Sequence, residues 1–215
     1  MHPAGHSPKV PPTEGRIIRW ARLYDFGTNL LFSGWASTLR RRTVELAAIA
    51  SGERILDVGC GPGRLAILAG SLSGPAGEVC GIDPAPEMID LARRNAARAA
   101  VGVRFEVGVI EALPYPDGYF DVVLSSLMLH HLPDGLKRQG LAEVRRVLRP
   151  AGRFVAVDFG ALPGEGLGHL LCILGHRKGR DHAGRLRAML REAGFSAVET
   201  GPIGLRALVF VRGVV

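Results

Sequence analysis

The sequence predicts an α/β fold, a doubly wound sheet with helices on both faces, from three observations on its 215 residues. Between residues 54 and 193, short apolar runs alternate with segments of helical periodicity, and turn residues separate them. Parallel strands need long, right-handed crossovers, so this alternation reads as a mostly parallel sheet. The last two apolar runs leave no room for a helix between them, so the sheet of about seven strands closes with an antiparallel hairpin. The composition, 47% hydrophobic and 22% charged, suits one domain with a substantial core.

Each element has its own signal. Residues 1–15 carry Pro3, Pro8, Pro11 and Pro12 and no apolar block, so we expect a disordered tail and not a signal peptide. Residues 16–52 are expected to form a helical flap holding Trp20 and Trp35. Within it, a helix over Thr38–Ala50 places Leu39, Leu46, Ala47 and Ala50 on one stripe, ended by Ser51-Gly52. The core, 53–159, opens with the apolar run Arg54–Val58, a buried strand. Helix Leu65–Leu72, strand Glu78–Ile82 and helix Glu87–Ala100 follow, the last introduced by Pro86 at a first-turn position. Val103–Val107 and Phe120–Ser125 read as strands three and four. Asp134 is expected to cap a helix carrying Leu141, Val144 and Leu148, closed by Pro150 and Gly152, before strand Arg153–Asp158. An insert, 160–182, is Gly-rich around an apolar patch at 169–174. Residues 183–215 complete a helix over His182–Ala193, with Gly194 as its C-cap, and add hairpin strands Ala197–Glu199 and Leu205–Val211.

The formal net charge is +7, and its placement is uneven. Acidic and basic side chains balance over 54–159, and the excess sits on the two flanks. Basic flanks can draw an anionic substrate, an anionic membrane surface or RNA, although Arg-rich helix faces also serve solubility alone. Cys60, Cys80 and Cys172 form no paired pattern, so free thiols in a reducing cytoplasm are expected. No apolar stretch approaches the ~20 residues that cross a bilayer.

The chemistry-bearing motif is Asp57-Val-Gly59-Cys60-Gly61-Pro-Gly63, between the first strand and its helix. Glycines there let a ligand approach the backbone, and the helix N-terminus offers N–H groups to an anion. Asp83, at the end of the second strand, is placed to accept both hydroxyls of a ribose. A nucleoside-containing ligand follows, and Gly61-Pro-Gly63-Arg-Leu-Ala66 even fits the loose NAD pattern. Asp57 argues against NAD. Its carboxylate suits an ammonium group, which NAD lacks and S-adenosylmethionine (SAM) carries.

With Glu111–Ser126, Leu129-His130-His131-Leu-Pro133 and Glu143–Pro150 in this order, the chain resembles the class I SAM-dependent methyltransferases over roughly residues 20–212. Within them it looks like the small-molecule group of the ubiquinone/menaquinone biosynthesis type, a likeness that extends more weakly to Tyr24-Asp25, Asn29 and Arg40–Arg42. The resemblance implies a Rossmann-like fold, methyl transfer, SAM as cofactor and S-adenosylhomocysteine as product. It places Gly59, Cys60, Gly61 and Gly63 in the SAM loop, Asp57 near the amino group, Asp83 and Pro84 at the ribose, Met88 against the adenine and Ser125 at the end of strand four. The family carboxylate that meets the adenine amino group is replaced here: Gly108-Val109-Ile110-Glu111 stands at that place, and Val109 cannot accept the hydrogen bond. Contact with the ring then falls to the Ile110 backbone. Ala151, where glycine is usual, is expected only to adjust a turn.

For an acceptor that must lose a proton, His130 and His131 are the candidate bases, just past strand four where open sheets place their ligands. Neighbouring side chains are expected to point apart, so one of the two would face the acceptor. His176 and His182, at the insert, are weaker candidates. No cysteine or acidic cluster joins the histidine pair at zinc-ligand spacing, so no metal is expected. Ser125-Ser126-Leu127-Met128 replaces the Asn/Asp-Pro-Pro-Tyr/Phe signature of nucleobase amine methylation, which argues against RNA. A small lipophilic acceptor, quinol-like, lipid or secondary metabolite, fits the aromatic flap and the apolar insert. The open alternatives are an RNA methyltransferase and a non-catalytic SAM- or nucleotide-binding module. The flap also offers a surface for a homodimer.

Overall fold

The computed structural model describes residues 35–160, 181–205 and 208–215. The expected tail, the flap up to residue 34, and residues 161–180 of the insert with Cys172 and His176 lie outside the described residues. Helix α1 (35–47) precedes β1 (Arg54–Val58), α2 (Arg64–Ser73), β2 (Glu78–Asp83), α3 (Pro86–Ala99), β3 (Arg104–Val107) and β4 (Phe120–Ser126). A 3₁₀ turn (Leu129–His131), α4 (Asp134–Val147), β5 (Leu148–Phe159), α5 (His182–Glu192), β6 (Ser196–Pro202) and β7 (Leu208–Val214) complete the order.

One seven-stranded sheet runs β3-β2-β1-β4-β5-β7-β6. Its first five members pair in parallel, while β7 runs antiparallel to β5 and β6. The order reverses direction between β1 and β4, and ligands of such sheets bind outside the strand C-termini at that switch point.

Strand alternation sorts the core. Ile55, Val122, Leu124 and Val155 pack against α1, α2 and α3 through Val44, Ala47, Leu65, Ala66, Ile89 and Ala92. Leu56, Val123, Phe154 and Ala156 face the other way, onto Leu141, Val144, Leu186 and Leu190 of α4 and α5. Burying each such side chain contributes about 1.5–3 kcal/mol.

The differences from the sequence reading are local. Helix α1 ends at Ala48 in the left-handed region (φ 48°), so Ala50 lies beyond it and is exposed; Thr43 and Val44 share the buried face instead. Asp134 is the first residue of α4, not its cap; Pro133 holds the cap position, and Asp134 binds Lys137 Nζ at 3.0 Å. Pro150 does not close that helix. Strand β5 already begins at Leu148, and Ala151 enters the left-handed region (φ 62°) where it donates to Val215 O. Strand β6 outruns the expected Ala197–Glu199 at both ends through its pairing with β7, and β7 both starts and ends three residues later than Leu205–Val211, because its antiparallel pairing with β5 runs from Leu208 to Val214.

Candidate active site

The loop after β1 is built from backbone. Gly59 and Cys60 both donate to Ile82 O at 2.9 Å, and Gly61 donates to Asp83 Oδ2 at 2.9 Å. All three motif glycines adopt positive φ (71°, 51° and 76°), which other residues reach only at a cost. Their surroundings differ. A methyl group on Gly63 would sit 2.6 Å from Phe105 and 2.8 Å from Ala92, and one on Gly59 would collide with Met128. One on Gly61 would meet nothing within 4 Å. Gly63 therefore serves helix–strand packing, whereas Gly61 borders open space.

Beneath the loop lies Asp57, 1% exposed, on the α2 side of the sheet. The Ala66 backbone N–H in the first turn of α2 supports its carboxylate, yet Oδ2 has no hydrogen-bond partner. Burial, reinforced by the charge of Asp83, pushes its pKa up from 3.8 to about 7 despite that N–H. Asp83 itself is raised by burial, against the backbone N–H groups of Ala85 and Gly61 that it accepts. A buried carboxylate oxygen without a donor, an open glycine cradle and an acidic residue at its lip fit a ligand that brings a cation and hydroxyl groups. SAM is such a ligand.

The remaining predicted cofactor residues line the same edge of the sheet in different ways. Pro84 is half-buried beside Asp83. Met88 is buried against Ala85 in the first turn of α3. Val109 is buried and pairs with Ala112 across a tight turn, which leaves Ile110 and Glu111 at its tip. The Ile110 side chain packs into the core under α4, against Gly140, so only its backbone remains available to a ligand. Glu111 holds one carboxylate oxygen enclosed and without a partner, and its carbonyl accepts from Gln139. Ser125, 1% exposed, also keeps its Oγ unpartnered at the end of β4.

On the acceptor side, the chain leaves β4 through Leu127 in the left-handed region (φ 54°) and enters the 3₁₀ turn. There His130 Nδ1 lies 2.6 Å from Asp158 Oδ1, and the His130 backbone N–H donates to Asp158 Oδ2 at 2.9 Å. The Phe159 N–H donates to Oδ1 as well, at 2.7 Å. Burial alone would raise Asp158, but its bonds to His130, the His130 and His182 imidazoles and the Phe159 N–H outweigh it and hold the pKa below 3.8. An ionised Asp158 only accepts, so His130 Nδ1 carries a proton toward it, and in the neutral imidazole Nε2 is the accepting nitrogen. His131 does not point away, as its neighbour relation suggested: the tight turn brings the two rings to 3.9 Å between centroids. Asp158 and the buried Lys137 were absent from the candidate set. A lone Asp inside the apolar run Phe154-Val-Ala-Val-Asp-Phe159 was the signal available for the first.

Among the described residues, no group of three or more His, Cys, Asp or Glu is placed to hold a metal, and no helix is long and apolar enough to cross a membrane. Residues 55–152 match the methyltransferase-domain family.

By that match, residues 55–152 are a methyltransferase domain.

This methyltransferase domain is similar to an arsenite methyltransferase of Halobacterium salinarum, 39% identical over 73% of the chain and 40% of that protein. It is similar to a demethylmenaquinone methyltransferase of Thermus thermophilus, 40% identical over 63% of the chain and 60% of that protein. The chain thus spans less than two thirds of the length of these curated relatives. A crystal structure of a SAM-dependent methyltransferase from Aquifex aeolicus shares the fold, with a TM-score of 0.69, 19% identity and coverage of 90% and 96% of the two chains. Asp57, Gly61 and Asp83 are where the chain offers S-adenosylmethionine a fit.

Proposed function

We propose that this protein methylates a small, lipophilic acceptor bearing an acidic hydroxyl or carbon, with His130 as the base. The observation that carries the proposal is the His130–Asp158 pair, a polarised imidazole at the sheet edge that also bears the glycine loop. When bound, SAM supplies a methyl group on a cationic sulfur. Asp57 receives the ammonium end, the cradle at Gly61 lets the backbone approach, and Asp83 receives the ribose. Asp158 holds the His130 ring by two bonds, one to the side chain and one to the backbone. Nε2 would then take the acceptor's proton as the acceptor's bond to the methyl carbon forms and the sulfur–methyl bond breaks, with S-adenosylhomocysteine as the leaving group, and would pass the proton to water afterwards. Alignment and exclusion of water do the rest.

The apolar surroundings support a lipophilic partner. Phe159 meets the His130 ring edge-on at 4.9 Å, and Leu127, Met128 and Leu132 are partly buried nearby. The relative named for demethylmenaquinone supports a quinol-like acceptor. Arsenite is less well supported, because among the described residues both cysteines, Cys60 and Cys80, are buried.

The test is transfer of labelled methyl from SAM to a cell lipid or metabolite extract. Asp158→Asn is expected to lower turnover by about 10²–10⁴-fold with S-adenosylhomocysteine affinity unchanged. Absence of labelled product, or full turnover by the variant, refutes the reading.

A further inference from the structure

The glycine loop and the turn that carries His130 follow β1 and β4, which lie side by side in the sheet, and one side chain joins them. A methyl group on Gly59 would lie 2.4 Å from Met128 Cγ, 2.9 Å from its Cβ and 3.6 Å from its Cε, the three nearest atoms outside the glycine's own chain neighbours. Met128 therefore rests directly on the Gly59 backbone. The far side of the loop is fastened to β2, where Gly59 and Cys60 donate to Ile82 O and Gly61 donates to Asp83 Oδ2. Met128 is tied as firmly into the turn. The Leu127 N–H before it donates to Val157 O at 2.9 Å, its own carbonyl accepts from the His131 N–H at 3.0 Å, and His130 is held by Asp158. Leu127 enters the turn with φ 54°, a strained backbone for a bulky residue that persists only where the surroundings enforce it.

A side chain on the loop would place a rotatable cushion between the two segments. Glycine removes it, so Met128 meets backbone, and close-packed contacts of this kind transmit displacement. We infer that Met128 is a positioning residue that makes the His130 turn respond to the cofactor. A ligand seated in the cradle fixes the Gly59 backbone, Gly59 braces Met128, and the braced turn holds His130 Nε2 toward the acceptor. No contact between cofactor and histidine is needed. The organised base is thereby confined to the protein that carries a methyl donor. Coupling of two binding events is reciprocal, so an acceptor engaged at His130 tightens the cofactor through the same side chain. This inference rests on the proposed reading of the glycine loop as cofactor cradle and the His130 turn as acceptor side, and it supplies what links them.

The experiment measures local opening, not turnover. Backbone amide exchange is followed with and without saturating S-adenosylhomocysteine in the wild type, Met128→Ala and Met128→Leu. In the wild type the ligand is expected to slow exchange about tenfold, both over residues 59–61 and over residues 127–132. In Met128→Ala the glycine loop should stay protected while the ratio over 127–132 falls below about twofold. Met128→Leu, which keeps the volume, should restore most of that ratio. A purely structural role would instead speed exchange over 127–132 in both states of Met128→Ala and leave the ligand-dependent ratio unchanged. That unchanged ratio overturns the inference. So does a wild-type turn that ignores a ligand which protects the loop, a comparison that stands without either variant. Absence of protection at the glycine loop of the wild type strikes the cofactor reading of that loop instead, so the two failures are told apart.

Discussion

Acidification is expected to weaken cofactor binding through one residue, Asp57. In the free protein its pKa stands at about 7, because burial and Asp83 outweigh the Ala66 N–H. Only the ionised form can receive an ammonium group. The ionised fraction is about one tenth at pH 6 and about nine tenths at pH 8, so affinity for S-adenosylhomocysteine should fall about tenfold between them, about 1.4 kcal/mol. Each complex formed near pH 6 should release close to one proton. Stability follows the opposite sense. A carboxylate raised from 3.8 to about 7 in the folded state contributes stability that is fully present below 3.8 and lost as pH rises through about 7. Asp57→Asn should therefore raise the melting temperature of the cofactor-free protein at pH 8 while abolishing the pH dependence of binding. Calorimetric titration over pH 6–8 in buffers of different ionisation enthalpy measures both affinity and proton release. Asp83, also raised by burial, is left in place by the Asn variant, so a slope that survives there belongs to Asp83 and not to Asp57. An affinity that stays flat over this range, or a slope that persists in Asp57→Asn, refutes the reasoning.

Other expectations come from the same geometry. Gly61→Ala should fold with a loss of only about 1 kcal/mol for its left-handed backbone, yet lose cofactor affinity by about tenfold or more, as its methyl enters the cradle. Gly63→Ala should do the reverse and chiefly lower the melting temperature, since its methyl strikes Phe105 and Ala92. Arg153 joins Glu53 at 2.7 and 2.8 Å and caps the end of α1 through the carbonyls of Ala47 and Ala48; Arg153→Met should cost about 2–4 kcal/mol in chemical denaturation. Burial is the largest single influence on Glu53 and raises it, but Arg153, the Ala50 N–H and Arg149 together lower it below the ordinary glutamate value, so this contribution is present at neutral pH and lost as pH falls below the ordinary glutamate range. Ala151→Gly should stabilise by about 0.5–1 kcal/mol by relieving the left-handed alanine, read as a rise of a few degrees in Tm.

The amino-acid sequence by itself determined the parts that are local. Apolar runs of the right length made the strands, and Gly59, Gly61 and Gly63 declared a tight turn because few other residues adopt that backbone. Pro86 marked a helix start because its missing N–H costs nothing there. The order of these signals was enough for the doubly wound topology and its closing hairpin. Boundaries were less legible where pairing decides them. Leu148-Arg149-Pro150 reads as a helix end, but pairing of Leu148 with Phe120 of β4 draws it into β5. What tertiary structure alone decided is the chemistry of the acceptor side. His130 is 28 residues from Asp158, and no spacing rule connects a turn after β4 with the end of β5; parallel pairing of the two strands does. The same holds for Met128, whose contact with Gly59 exists because β1 and β4 lie side by side, and for His182, buried at the start of α5. Hydrogen bonds and burial between distant segments are properties of the packed sheet edge, and local sequence carries no record of them.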